Sequence, residues 1–307
     1  MSYEPRKKLI VIVGPTAVGK TAAAIKLALQ LRTEIVSADS RQFYREMSIG
    51  TAKPSAEELR QVKHHFVDSH SVTENFSVGM FEPRALAVLD EIFKTHDTAI
   101  LVGGSGLYIK AVCEGFDDLP SSPPEIREKL KKELRENGII YLQEKLKNAD
   151  PVYYQQVDLN NPQRLIRALE VYESRGLPFS SFRKAETAPR GFECIKTGLN
   201  LPRTVLYQRI NDRVDEMIKM GLVDEVRSLL PYRNLNALST VGYTELFDCF
   251  DGKTDLPAAI ALIKQNTRRF AKRQVTWFRK DAGITWFEAS DPSLSDQIMK
   301  IALKEGS

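Results

Sequence analysis

Cysteine is scarce in this chain and falls into no pattern: Cys113, Cys194 and Cys249 stand far apart, and no C-x-x-C pair occurs. That leaves no signature for structural zinc or a disulfide scaffold, and the expectation is three reduced, inert thiols. His64, His65, His70 and His96 show no metal-ligand spacing. No apolar run approaches the roughly 20 residues that a membrane-spanning helix needs. The N-terminal stretch MSYEPRKK leads into a short strand-like run, without the apolar core and cleavage site of a secretory signal. A cytoplasmic protein with no membrane attachment is therefore expected. An excess of one charge is also lacking, since 44 Lys and Arg against 40 Asp and Glu leave a net +4, too mild by itself to imply nucleic acid. Internal repeats and low-complexity tracts are absent. What is present, at 307 residues and 42% hydrophobic, suffices for the core of one large domain or two smaller ones.

Over the first hundred residues strand-like and helix-like segments alternate, which predicts a parallel sheet with helices on its faces. LIVIV (Leu9 to Val13) reads as a buried strand and TAAAIKLALQL (Thr21 to Leu31) as a helix. EIVSAD (Glu34 to Asp39), HHFVDS and TAILVGGSG read as further strands, and SVGMFEPRALAVLDEIFKTH as an amphipathic helix. Around LPSSPPEIREKL the composition turns proline-rich and then highly charged and helical, which predicts an insertion that returns to the sheet near CIKTGLNL. Residues 1–120 and 191–307 then form an α/β core and 121–190 a helical insertion domain. After CIKTGLNL the chain reads as nearly all helical, ending in the long LPAAIALIKQNTRRFAKRQVTWFRK.

Between the first strand and the first helix lies Gly14-Pro15-Thr16-Ala17-Val18-Gly19-Lys20-Thr21, which fits G-x-x-x-x-G-K-[ST]. Free N–H groups and the positive dipole end of the following helix attract phosphate. Lys20 would neutralise its charge and Thr21 would bind Mg²⁺. The pattern alone suggests ATP, but an ATPase or kinase normally carries an Asp at the end of a neighbouring strand to hold that Mg²⁺. TAILV ends instead in Gly103-Gly104, followed by Ser105. Ligands in such sheets bind at the carboxyl ends of the strands, where Gly14, Asp39 and Gly103 to Ser105 all fall. Asp39 suits a general base, with Ser40, Arg41 and Gln42 able to bond a nucleobase edge; as a strand-end carboxylate it equally suits a loop cap or a Mg²⁺ ligand.

Charge is localised where the total is bland. From Lys264 to Lys280 there are seven basic residues and no acidic one. On a helix Arg269 and Arg273 are neighbours, as are Arg268 and Lys272, and Gln274 lies among them. With Phe270 and Trp277 interleaved, this run suits RNA, although the aromatics by themselves are better explained by a core. A second cluster, Gln163-Arg164-Leu165-Ile166-Arg167, follows Pro162 at a helix start. Arg203 and Arg209 bracket the start of TVLYQRI and could present cations to a diphosphate.

Together GPTAVGKT, SADSRQFYREMSIGTAKP, LVGGSGLY, NPQRLIRALEVYESRGLP, LYQRINDRVDEMIKMGLVDEV and AKRQVTWFRK resemble the bacterial tRNA dimethylallyltransferases, also called tRNA isopentenyltransferases. The segments follow the family's order from about residue 9 to residue 280. The resemblance implies a P-loop NTPase-like parallel sheet flanked by helices, with a helical insertion domain that grips the anticodon stem-loop of tRNA. It implies transfer of a dimethylallyl group from dimethylallyl diphosphate to N6 of adenine 37, in tRNAs reading codons that start with U, with Mg²⁺ and by a monomer. Carried over by residue, Gly14 to Thr21 cradle the diphosphate with Arg203 and Arg209 nearby. Asp39 takes the N6 proton, and Asp39, Ser40, Arg41 and Gln42 bracket the base. Gln163 to Arg167, with Ser105 and Arg127, touch tRNA. Val18 stands where serine is common in the family, and Arg41 and Phe43 occupy variable positions; no group that the chemistry needs is missing. As in the bacterial form it resembles, the C-terminal zinc finger of eukaryotic relatives is not expected.

Three rival functions fit parts of the sequence. A small-molecule or nucleotide kinase would use GPTAVGKT for ATP, against which the missing strand-end Asp counts. An adenylate isopentenyltransferase would run similar chemistry on a free nucleotide, against which the basic run and the insertion count. A non-catalytic RNA-binding P-loop protein would leave Asp39 without a task.

Overall fold

The computed structural model describes residues 7–115, 119–120, 122–183 and 189–303. The MSYEPR stretch and Ser121, where the insertion is expected to begin, lie outside the described residues. The chain divides into two compact units, one running to Cys113 and resuming at Arg190, the other Glu114–Pro189.

The first unit opens with β1 (Lys8–Val13), α1 (Lys20–Leu31), β2 (Ile35–Ser37), α2 (Ala56–Gln61), β3 (His64–His65), α3 (Val78–Phe93), β4 (Thr98–Gly103) and α4 (Gly106–Glu114). The second unit holds α5 (Pro124–Ala149), α6 (Pro151–Tyr154) and α7 (Pro162–Arg175). The first unit resumes with β5 (Glu193–Asn200), α8 (Arg203–Lys219), α9 (Leu222–Ser228), α10 (Tyr243–Phe250), α11 (Leu256–Phe278), β6 (Thr285–Glu288) and α12 (Leu294–Ala302).

Among the described residues the strands form one parallel sheet in the order β3-β2-β4-β1-β5-β6. Successive side chains of a strand point to opposite faces. In β1, Leu9, Val11 and Val13 join the core beneath α3 and α4, while Ile10 and Ile12 join the core beneath α1, α8 and α12. A strand covered on both faces must be apolar throughout, which is why LIVIV shows no alternation. A third core, under α9, α10 and α11, gathers Met47, Leu222, Leu238, Tyr243 and Leu246.

Register positions the functional edge. Val13 of β1 is level with Gly103 of β4 and Gly198 of β5, and Ser37 of β2 with Val102 of β4. Four adjacent strands therefore release their chains at one rim, where open α/β sheets bind ligands.

The structure departs from the sequence expectation in three places. The C-terminal stretch is not all helical, because TWFE forms β6 and pairs with β5 from Thr197↔Thr285 to Asn200↔Glu288. A four-residue edge strand has no periodicity to read; its partner makes it a strand. Of HHFVDS only His64–His65 is strand, since Phe66 (φ 62°) and Asp68 (φ 53°) turn left-handed. The strand through EIVSAD stops at Ser37, leaving Asp39 on the exit turn.

In the second unit, Gly138 (φ 76°, ψ 179°) breaks α5 within its Asn-Gly step. Leu130, Leu142 and Leu146 of α5 pack with Leu165, Ile166 and Leu169 of α7. Asn161 caps α7 by accepting from the Arg164 N–H, with Pro162 in the first turn. The Asp150 carboxylate, 1% exposed, is satisfied by the N–H groups of Tyr153 (2.9 Å) and Ser180 (2.7 Å) and the Ser180 hydroxyl (2.8 Å).

Candidate active site

The loop after β1 has the backbone of an anion cradle. Ala17 (φ 65°) and Gly19 (φ 106°) are left-handed, and α1 starts at Lys20 with no side chain capping its first N–H groups. Those donors are free for an anion, which the dipole of a 12-residue helix also favours. Gly14 is obligatory, because a Cβ there would lie 2.6 Å from the Leu199 carbonyl oxygen of β5. The Lys20 ammonium donates to the carbonyls of Gly14 (3.0 Å) and Pro15 (2.8 Å) and so sits inside the loop it serves. Burial lowers its pKa to about 8; Asp39 pulls it upward and Arg213 adds repulsion.

Asp39 stands on the exit turn of β2, close enough for its negative charge to oppose the lowering of the Lys20 pKa. Asp39 Oδ1 also accepts the Arg41 N–H (3.0 Å), closing a turn over its own loop. Ser40 is tied to the exit of β4, where the Ser105 hydroxyl accepts the Ser40 N–H (3.0 Å) and donates to Ser40 Oγ (3.1 Å). Arg41 is a tether: its guanidinium donates to the carbonyls of Asn236 (2.9 Å), Ala237 (3.0 Å) and Ser239 (3.3 Å). Gln42 donates to the carbonyls of Thr51 (3.3 Å) and Ala52 (3.1 Å). Of the four residues expected around a base, Ser40 is bonded to Ser105, and Arg41 and Gln42 are bonded to backbone carbonyls elsewhere in the unit.

Gln274 of α11 braces the same rim. Its Oε1 accepts the Thr16 N–H (2.8 Å) and its Nε2 donates to the Gly104 carbonyl (3.0 Å), joining the loop after β1 to the exit of β4. Gly103 explains the missing strand-end carboxylate. A Cβ there would lie 2.4 Å from the Ala38 carbonyl oxygen, so the chain leaving β2 occupies the space a side chain would need. The outcome expected for Gly103→Ala is a loss of about 1–3 kcal/mol of stability, read as a lower urea midpoint at unchanged m.

The basic run is divided by function. Lys264 binds Asp215 (2.6 Å) and Arg268 binds Asn211 (2.6 Å), both on α8, and these hold the two helices together. Arg269, Lys272 and Arg273 are exposed, as are Phe270 and Trp277. Gln274 is 6% exposed and its amide is already bonded. Leu165 (0%) and Ile166 (5%) are core residues of the second unit. Of the residues expected to touch tRNA, these three have buried side chains: α11 turns Ala271, Gln274 and Phe278 inward, and α7 turns Leu165, Ile166 and Leu169 inward. Gln163 and Arg164 are exposed at the start of α7. Arg167 (3.3 Å) and Arg127 (3.2 Å) both pair with the buried Glu170 carboxylate, which holds two guanidinium groups at one place.

Arg203 lines a cavity of about 730 Å³ with Tyr207, Lys272, Arg279 and Trp286, to which no residue of the Gly14–Thr21 loop contributes. Arg209 is exposed on α8. The arginine whose charge reaches Lys20 is Arg213, absent from the sequence expectation. It stands four residues beyond Arg209 in LYQRINDRV, so helical spacing was the available signal. Among the described residues no group of three or more His, Cys, Asp or Glu side chains could hold a metal, and no helix is long and apolar enough to cross a membrane.

Comparison with known proteins gives the family. The family model described as IPP transferase matches residues 42–281. A tRNA dimethylallyltransferase from Christiangramia forsetii is 55% identical over 285 residues, 93% of this chain and 94% of that one. The crystal structure of a tRNA isopentenylpyrophosphate transferase from Bacillus halodurans superposes with a TM-score of 0.70 at 40% identity, covering 96% of this chain and 94% of that one. A eukaryotic dimethylallyltransferase, captured in crystallographic snapshots acting on tRNA, superposes with a TM-score of 0.78 at 27% identity, covering 96% of this chain and 77% of that one. With family, relatives and fold in agreement over most of its length, the chain belongs to the IPP transferase family of tRNA dimethylallyltransferases.

Proposed function

We propose that this protein transfers a dimethylallyl group from dimethylallyl diphosphate to N6 of adenine 37 of tRNAs reading codons that begin with U, releasing diphosphate. The observation that carries the proposal is the register that brings the Gly14–Thr21 loop and Asp39 to one rim of the sheet: a carboxylate able to take a proton on the same rim as a cradle able to take a diphosphate. Adenine N6 is a poor nucleophile because its lone pair is delocalised into the ring. The reaction therefore depends on the donor, whose allylic carbon–oxygen bond breaks with its electron pair passing to the diphosphate. The free N–H groups of α1, Lys20 and Arg213 stabilise that developing charge. N6 bonds to the allylic carbon and Asp39 accepts its proton. The adenine must leave its stack to reach the rim, at a cost of a few kcal/mol, and in this reading Ser40 and Ser105 would be its neighbours there.

Mg²⁺ fits the residues present. This ion usually keeps several waters and bridges phosphate oxygens with few protein ligands, and the Thr21 hydroxyl at the first turn of α1 would be its ligand. When bound it adds positive charge next to the leaving diphosphate. The exposed cations Arg269, Lys272 and Arg273 in the first unit, and Arg164 with the Glu170-held pair Arg127 and Arg167 in the second, suit the phosphates of an anticodon stem-loop.

Incubation with radiolabelled dimethylallyl diphosphate, Mg²⁺ and unmodified tRNA should place label in the tRNA. ATP consumption with no incorporation would favour a kinase, and label entering free AMP alone would favour an adenylate isopentenyltransferase. The state of Lys20 adds a pH signature. The side chain is protonated below about 8, and the protonated form attracts the anion. Donor KM is therefore expected to be flat up to that pH and then to rise about tenfold per unit. A donor KM unchanged well into the alkaline range would show that Lys20 stays charged or plays no part.

A further inference from the structure

Two stretches shared with the family, SIGTAKP and GLVDEV, carry no role in the chemistry above, yet they meet. In α9 the Glu225 carboxylate accepts three successive backbone N–H groups, from Ser48 (3.0 Å) and Ile49 (2.7 Å) on Oε2 and from Gly50 (3.0 Å) on Oε1. The Tyr243 hydroxyl donates to the same Oε1 (2.7 Å). Consecutive N–H groups converging on one point form a nest of the kind that binds anions, and here a side chain of the same protein fills it. The fit is tight: a Cβ at Gly50 would lie 2.5 Å from the Tyr243 ring, and Tyr243 is fully buried. Lys53 closes the loop from its other end, donating to the carbonyl of Tyr44 (2.6 Å) and pairing with Asp68.

From this loop a chain of hydrogen bonds runs to the backbone of Asp39, on both sides of its Cα. The carbonyls of Thr51 and Ala52 hold the Gln42 amide nitrogen. Gln42 Oε1 accepts from the Ser37 hydroxyl (3.4 Å), and Ser37 Oγ accepts the Asp39 N–H (3.5 Å). The Gln42 N–H donates to the Asp39 carbonyl (3.2 Å). We infer that Glu225 is a positioning residue for the transfer: by filling the 48–50 nest it fixes the loop that holds Gln42, and through Gln42 and Ser37 it sets the aim of Asp39. The inference rests on the functional reading above. It assigns the work of an anion site to a carboxylate far along the chain that touches no substrate.

The test compares Glu225→Gln, Glu225→Ala and Tyr243→Phe in the full-length protein. Glu225→Gln keeps a single acceptor oxygen and should lower kcat for tRNA prenylation about tenfold. Glu225→Ala should lower it about a hundredfold, as expected for a displaced catalytic group. Donor KM should hold in both, because the Gly14–Thr21 loop takes no bond from this network. Tyr243→Phe removes one of four donors and should have the mildest effect. Added acetate should recover part of the Glu225→Ala rate by entering the vacated nest, and should leave Glu225→Gln unaffected. Deuterium exchange over residues 46–53 should rise in Glu225→Ala. An unchanged kcat despite faster exchange overturns the inference, as does a fall in kcat matched by an equal rise in donor KM with no acetate recovery, which would mark general loss of structure. The exchange measurement needs no turnover, so the two readings fail differently. No label in tRNA with the unaltered protein overturns the functional reading; unaltered protection over residues 46–53 in Glu225→Ala overturns the clamp.

Discussion

Asp39→Ala is expected to lower kcat for tRNA prenylation about a thousandfold, within the range for loss of a general base, while tRNA still binds. Asp39→Asn makes the result specific. An asparagine Oδ1 can still accept the Arg41 N–H that Asp39 Oδ1 accepts at 3.0 Å, so the exit turn of β2 survives, but the amide cannot take the N6 proton. A base predicts that both variants lose turnover alike. A loop cap predicts that Asn restores what Ala loses. Single-turnover rates with tRNA prebound, set against filter-binding affinities, separate the two. If Asp39→Ala instead binds tRNA poorly and turns over normally what it binds, the carboxylate positions the RNA and the proton leaves by another route.

The second large effect is expected at Lys20. Lys20→Met keeps the length of the side chain and removes the charge, and should cost about 10²–10³-fold in kcat, as removal of one preorganised donor does elsewhere. The ammonium donates to the Gly14 and Pro15 carbonyls, so it is held within the loop that would take the phosphate. The loss should appear in kcat and in donor KM together, with tRNA affinity intact. Full activity in Lys20→Met would mean that the α1 N–H groups and Arg213 suffice and that Lys20 serves the loop alone.

Much of this site is visible in the chain because its parts are local. A strand, eight loop residues and a helix start are contiguous from Leu9 to Thr21, so spacing and helix chemistry read them without the fold. The same holds for Asp39 and for Gly103-Gly104, each at the end of an apolar run. Sequence reasoning faltered where a side chain's task depends on residues far away. Arg41 and Gln42 look free to meet a base, but their partners lie at Asn236 to Ser239 and at Thr51 and Ala52. Gln274 sits in a basic stretch, but its face of α11 turns inward to Thr16 and Gly104. Arg203 and Arg213 share one helix, yet one lines a cavity with α11 and β6 while the other reaches Lys20.

The sequence by itself determined the parallel α/β core, the phosphate loop, the acidic exit of β2, the basic C-terminal helix and the family resemblance. Each of these is written in neighbouring residues or in a helical or strand period. Tertiary structure alone decided which polar side chains remain for substrate and which are braces. A hydrogen bond between residues 16 and 274, or 50 and 225, leaves no periodic trace in the chain and exists only once the sheet has set the two segments side by side.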